Sequence, residues 1–165
     1  MAEAGTETLI VPVHVYLIRN FLSGKLVTGH GRLSETMNDG NPHLRLRDVV
    51  AVDYSNPRLR YARTQAVVVK ARILFICDRP AAGYQPAHGR FAVARDRQRV
   101  TVACGPFFIE GDAHVPPGGT IETRLVSVFL PYIALTDVRI ASSVLPAFAE
   151  DAVLVNREQI DHILS

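Results

Sequence analysis

Hydrophobic and polar residues alternate with a period of two along much of this chain, which marks strands with one face buried and the other in solvent. In VPVHVYLI the residues Val11, Val13, Val15 and Leu17 share one face; in HLRLRDVV the residues Leu44 and Leu46 oppose His43, Arg45 and Arg47. Turn-forming residues punctuate these runs. Ile18-Arg19-Asn20 and Gly105-Pro106 each follow a first strand and predict a tight reversal into a second. Gly24 and Gly111 then fall a few residues into that second strand, where a missing side chain marks a bulge, a bend or a close backbone approach. A bend of that kind lets one strand serve two layers. RLSETMNDG, residues 32–40, reads as one or two helical turns ahead of Pro42, and IETRLVSVF, residues 121–129, as either a short buried helix or another strand. QAVVVKARILFI and DAVLVNREQIDHIL read as closing strands, the second ending in a polar run that predicts a small terminal helix.

The pattern occurs twice. A shift of 87 residues lays Val13-His14-Val15 on Val100-Thr101-Val102 and Phe21-Leu22-Ser23-Gly24 on Phe108-Ile109-Glu110-Gly111. A shift of 89 lays Pro42, Leu44, Leu46, Asp48 and Val49 on Pro131, Ile133, Leu135, Asp137 and Val138, and a shift of 86 lays Ala66–Val69 on Ala152–Val155. Ordered blocks separated by small changes of spacing predict an internal duplication, because loops tolerate insertions and strands do not. The expected organisation is a mostly β chain of two tandem small antiparallel β-barrel or sandwich units, residues 11–78 and 98–165, forming a pseudo-dimer. Residues 79–97 read as the connection, with FAVA, residues 91–94, as a possible extra strand across the junction.

Composition agrees with many short strands: Val and Ile are plentiful, Trp is absent, and ten prolines and eleven glycines are spread through 165 residues. The longest apolar run, residues 66–76, is interrupted by Lys70 and Arg72 and falls short of the roughly 20 residues a membrane helix needs. The start, MAEAGTETLI, has no basic residue ahead of its apolar positions and does not read as a secretory signal. No membrane association and a cytoplasmic setting are expected. Cys77 and Cys104 are read as free thiols, and six scattered histidines show neither H-x-H nor H-E-x-x-H spacing, so no metal site and no cofactor is expected.

Arg32-Leu33-Ser34 with Asn38, the following Pro42, Leu44, Leu46, Asp48 and Val49, and the later Val153, Val155, Asn156, Arg157, Glu158 and Ile160 carry one resemblance. On these residues the chain resembles a group of small bacterial all-β proteins with a paired strand start, a glycine, an R-L-S-x-x-x-N segment and a closing V-N-K/R motif in that order. Unit one has Val69-Lys70-Ala71-Arg72 in place of V-N-R, and unit two has Ile121-Glu122-Thr123 in place of R-L-S. The resemblance covers each unit separately. It implies a small strand-rich fold akin to Sm-like barrels and no known activity or catalytic residue.

The net charge of +2 hides an imbalance. Residues 1–78 carry ten Lys or Arg against seven Asp or Glu, residues 79–97 four against one, and residues 98–165 four against eight. Complementary halves attract within or between chains, or the basic half holds an anionic partner. Arg58, Arg60 and Arg63 flank Tyr61 in NPRLRYARTQ, and Arg45 and Arg47 join them if they share its exposed face. Guanidinium groups interleaved with an aromatic ring suit phosphate contact and base stacking, whereas the alternative is a solvated strand edge whose arginines deter unwanted pairing. Cys104 with His14 or His114, an Asp48–Asp137 pair about a pseudo-twofold, and an anion cradle at VPPGGT, residues 115–120, are the other chemical candidates. More often an Asp-Val at a strand end simply accepts bonds from turn amides. No catalytic constellation is recognisable. The sequence therefore points to a non-enzymatic binding or assembly module with a protein partner or a second copy of itself. The alternatives are RNA or single-stranded nucleic-acid binding through Arg45, Arg47, Arg58, Arg60, Tyr61 and Arg63, and a small-molecule enzyme with its site between the units.

Overall fold

The computed structural model describes residues 9–79, 95–127 and 129–165. The first half runs β1 (Leu9–Tyr16), β2 (Asn20–Thr28), α1 (Leu33–Asn38), β3 (His43–Asp53), β4 (Arg60–Val69), a 3-10 turn (Lys70–Arg72) and β5 (Phe75–Asp78). The second runs β6 (Asp96–Cys104), β7 (Phe107–Val115), α2 (Ile121–Ser127), β8 (Tyr132–Ser142), β9 (Phe148–Asn156), a 3-10 turn (Arg157–Gln159) and β10 (His162–Leu164). FAVA lies outside the described residues.

All ten strands form one antiparallel sheet in the order β10-β6-β7-β8-β9-β5-β1-β2-β3-β4. The expectation of mostly β structure holds, and the ten described strands, not closed into a barrel, make one sheet. The reason lies in β5. It pairs with β1 on one side (Phe75 opposite Tyr16) and with β9 on the other (Phe75 opposite Val155), so its second edge joins the halves.

Register is set by the buried face. Val13 lies opposite Gly24 and Val100 opposite Gly111, and in both places the pairing with the next strand slips by one residue, between Ser23 and Lys25 and between Glu110 and Asp112. A Cβ on Gly24 would lie 3.2 Å from the Arg47 carbonyl oxygen and from Val49 Cγ2; one on Gly111 would lie 3.1 to 3.2 Å from Val138, Leu135 and the Thr136 carbonyl oxygen. A side chain at either position would be tight against the next strand, the close backbone approach that their position in the sequence predicts. The bulges face Asp48 and Asp137, whose φ angles are +50° and +51°. Both aspartates lie inside long strands rather than at strand ends. Asp tolerates the left-handed region better than most residues, so the kink falls on it.

Three element expectations are corrected. The 86-residue match of Ala66–Val69 to Ala152–Val155 is one residue out of the frame of the ladders. Leu46 lies opposite Ala66 and Leu135 opposite Val153, so by strand position Ala66 matches Val153, a shift of 87, and Val69 matches Asn156. Valine-rich runs match in either frame, and only the neighbouring strand decides. QAVVVKARILFI is two strands rather than one, because the Lys70 side chain turns inward at the break. The polar tail after Asn156 is a 3-10 turn leading into β10 rather than a terminal helix; the Asn156 side chain accepts the Glu158 amide at 3.1 Å and starts that turn. Residues 121–127 are helical, which resolves that ambiguity.

The core has two clusters that exchange residues between halves. Val13, Val15, Leu26, Leu44, Leu46 and Ile76 from the first half are joined by Tyr132 and Leu154 from the second. Val102, Phe107, Ile109, Leu135 and Val155 from the second are joined by Tyr16, Leu74, Phe75 and Cys77 from the first. Successive residues of β5 thus serve opposite cores, as strand alternation requires. At the join Tyr16 stacks on Phe75 with centroids 4.3 Å apart, and Phe75 meets Phe107 edge-on at 5.0 Å. Aromatic pairs in these geometries add attraction beyond the area they bury.

Candidate functional site: the basic edge of the sheet

Among the described residues β4 has no neighbour on its outer side, and its burial agrees: of Arg60–Val69 only Val68 is buried. An edge strand presents a row of unpaired backbone groups along that side. Their identity follows from the ladder. The Lys70 amide donates to the Pro42 carbonyl on the β3 side at 2.9 Å. Amides alternate along a strand, so those of Val69, Val67 and Gln65 point to the open side.

All six candidate residues of the nucleic-acid reading are exposed on this end of the sheet. Arg45 lies opposite Val67 and Arg47 opposite Gln65, and these four line a shallow cleft of about 410 Å³. Arg60, Tyr61 and Arg63 follow further along β4, opposite Val52, Ala51 and Val49, and Arg58 lies in the turn between β3 and β4. Among the described residues Arg45, Arg47, Arg58 and Arg60 make no ion pair, whereas Arg63 donates to the Ala62 carbonyl at 2.7 Å. The residues therefore form one strip of two subsets rather than one focused pocket. Alongside the charges run apolar side chains that a strand edge in water does not ordinarily show: Leu59, Tyr61, Val67 and Val69 are 41%, 51%, 67% and 44% exposed.

Behind the edge lies a polar cluster that sequence reasoning missed. Lys70 is buried and donates to the Thr36 carbonyl and to Asp39 Oδ1, both at 2.5 Å. Asp39 also lies 3.2 Å from His30 Nε2, and the Thr28 and Thr36 hydroxyls bond to each other at 2.7 Å. Partial burial pushes the Asp39 carboxyl up, but the Lys70 ammonium, the Asn41 amide and His30 together outweigh it and hold the group below its ordinary range. The Lys70 backbone carbonyl in turn accepts from the Tyr132 hydroxyl at 2.7 Å and the Asn156 side-chain amide at 3.4 Å, tying the cluster to the second half. The visible signal was a lysine inside the most apolar run of the chain. Such a residue is either a strand-edge gatekeeper or a buried ion, and the sequence alone favours neither.

The remaining candidates do not assemble. Cys104 is buried and donates to the Leu74 carbonyl at 3.7 Å, and burial pushes its thiol up to about 12, so it stays protonated near neutral pH instead of serving as a nucleophile. His114 bonds to the Thr136 hydroxyl at 2.8 Å, and His14 lies against the rings of Tyr16 and Phe21; burial lowers both imidazoles. Cys77 is likewise buried and unpaired. Among the described residues Asp48 and Asp137 do not form an acidic pair and accept no turn amide. Asp48 takes the Lys25 ammonium at 2.8 Å, and Asp137 shares Arg99 with Glu110 and Asp112. In VPPGGT the Gly118 amide is taken by Asp96 at 2.9 Å and the Gly119 amide by the Pro116 carbonyl at 2.8 Å, so neither awaits an anion. Stacked aromatics fill the join between the halves where a site between units was considered. Among the described residues no group of three His, Cys, Asp or Glu is placed to hold a metal, and no helix is long and apolar enough to cross a membrane.

No family model, curated protein or solved structure matches the chain.

Proposed function

We propose that the protein is a non-enzymatic assembly module, built from two copies of one duplicated unit and working in the cytoplasm, whose open β4 edge takes a strand from a protein partner. The observation that carries this reading is the exposure of Leu59, Tyr61, Val67 and Val69 along an unpaired strand edge. Natural sheets blunt such edges with charge, proline or bulges, and β4 has arginines at one end only, leaving Ala66–Val69 apolar. Strand addition gives affinity through main-chain bonds and specificity through alternate side chains. The test is a Val67→Pro variant, which removes an outward amide without touching the β3 ladder. Affinity capture from extracts of the source cell and solution mass should both show association for the native chain that Val67→Pro abolishes. A native chain that is monomeric and captures nothing overturns the reading.

A second reading is favoured by the exposure of Arg45, Arg47, Arg58, Arg60, Tyr61 and Arg63 on two adjacent strands and their turn. A strip of guanidinium groups beside an exposed ring fits single-stranded RNA or DNA held by phosphate contact and stacking. Fluorescence titration with short oligonucleotides at low and high salt tests it. Salt-sensitive binding that Tyr61→Ala weakens is the expected result, and salt-insensitive or absent binding rejects it.

A further inference from the structure

The sheet contains one join between halves and ends in two edges that repeat the parts of that join. The join consists of β5 against β9: Phe75 lies opposite Val155, Ile76 opposite Leu154, and the Asn156 amide donates to the Leu74 carbonyl at 2.9 Å. Shifting by 87 residues, β5 corresponds to β10 and β9 to β4. The correspondence is fixed by hydrogen bonds as well as by sequence. The Leu74 amide donates to the Tyr16 carbonyl at 2.8 Å, and the Asp161 amide donates to the Ala103 carbonyl at 2.9 Å. Lys70 donates to Pro42 as Arg157 donates to Pro131, at 2.9 and 2.8 Å. Among the described residues β10 pairs only with β6, and β4 only with β3, so both complementary edges lack a strand neighbour there.

We infer that a second copy of this chain occupies the open edge, its β10 pairing with β4 in the register of the internal join. This rests on the assembly reading and names its partner. His162 of one copy then lies opposite Val68 of the next, Ile163 opposite Val67, and the Val69 amide donates to the Asp161 carbonyl. Burial in the internal join shows what this contact covers. Leu154 is 8% exposed where its counterpart Val67 is 67%, and Asn156 is 2% exposed where Val69 is 44%. Phe148 packs on Tyr16 across the join at 5.6 Å, and its counterpart Tyr61 is half in solvent. On the other side Phe75 and Cys77 are buried, whereas their counterparts His162 and Leu164 are exposed. Charge agrees: the half that carries β4 has ten basic against seven acidic residues up to position 78, and the half that carries β10 has four against eight from position 98.

The contact joins different surfaces of identical chains, so it repeats head to tail and either closes into a ring or continues as a filament. His162 replaces the stacked Phe75, and Val69 lacks the side-chain amide with which Asn156 reaches the Lys70 and Ile73 carbonyls. The contact between copies is therefore weaker than the internal join and depends on concentration.

Light scattering across about 10 µM to about 1 mM tests this, with Val67→Pro blocking the β4 edge and Ile163→Pro blocking the outer edge of β10. His162 pairs with Ala103 on the β6 side, and the next amide, that of Ile163, points outward. The native chain should give masses at integral multiples of 18.1 kDa that rise with concentration, and each variant alone should remain at 18.1 kDa. An equimolar mixture should form a two-chain complex near twice 18.1 kDa, because Ile163→Pro keeps β4 and Val67→Pro keeps β10. That complementation also shows that both variants fold. A native chain that stays at 18.1 kDa throughout overturns the inference, and if Val67→Pro still loses a captured partner, the assembly reading survives with a different occupant. Native assembly unaffected by either substitution, or variants that fail to complement while their circular dichroism stays native, also overturns it.

Discussion

Phe75 and His162 hold the same place in the two halves, each following a 3-10 turn and opening a short strand against the first strand of its own half. Phe75 is fully buried in a stack of rings; His162 is exposed and meets the Phe108 ring at a steep angle, with centroids 6.4 Å apart. Their local backbone bonds match. What differs is the neighbour on the outer side, β9 for Phe75 and solvent for His162. The same contrast recurs along β9 and β4, and it teaches that burial here is decided at the join between units rather than within a unit. It also accounts for the residue types, since a ring is placed where burial is permanent and an imidazole where the surface opens to water.

The largest expected effect tests that contrast directly. Phe75→Ala removes the ring that touches both Tyr16 and Phe107 and should cost about 3 to 5 kcal/mol in denaturant unfolding. His162→Ala, measured on dilute protein, should cost less than about 0.5 kcal/mol, as expected of a surface position. Equal losses would show that the two strands are held in the same way and break the comparison.

Next in size is the buried ion Lys70. The first half uses it to anchor α1 to the turn after β4, whereas the same position in the second half is Arg157, outside the buried set. Asp39→Ala strands the ammonium and should cost about 3 kcal/mol, roughly 6 to 12 °C in Tm for a chain of this size. The acid dependence gives a second readout. Because the folded carboxyl lies below its ordinary value of 3.8, its contribution is complete above that pH and is lost as pH falls through the folded value. Thermal melts between about pH 5 and about pH 3 should thus fall more steeply for the native chain than for Asp39→Ala. Parallel slopes would remove Asp39 from the account.

The smallest effect concerns the bulges, where the halves agree. Gly24→Ala and Gly111→Ala each press a methyl group onto a carbonyl oxygen and a valine, and each should cost about 1 to 2 kcal/mol by thermal or denaturant unfolding. Gly111→Ala should be the worse of the two, since its Cβ also meets Leu135 Cβ at 3.2 Å, compared with 3.6 Å to Leu46 Cβ at Gly24. A neutral Gly111→Ala would mean that the strand relaxes around the bulge and that the glycine is not required there.

Much of the fold was legible because strand alternation and turn chemistry are local. The first hairpins and the helical turn before Pro42 follow from residues close in sequence, and a glycine inside each second strand marked where the pairing slips. The frame of β4 was not legible, because Ala-Val-Val-Val reads equally well one residue either way. The candidate arginines were identified as residues, but their arrangement as a strip along an open strand depends on which strand ends the sheet. Lys70 and Asp39 lie 31 residues apart and meet only because α1 folds back under the turn after β4.

The sequence by itself determined a strand-rich chain, recurring blocks of residues along it, and its basic and acidic halves. All of these arise from side-chain type and short spacing along the chain. Only the tertiary structure decided that the halves share one open sheet, that β5 serves both cores, and that β4 and β10 are left at opposite ends. Those properties depend on which strand lies beside which. Backbone hydrogen bonds between strands are the same whatever the side chains, so the choice of neighbour is made by cores that come into being only when distant segments meet.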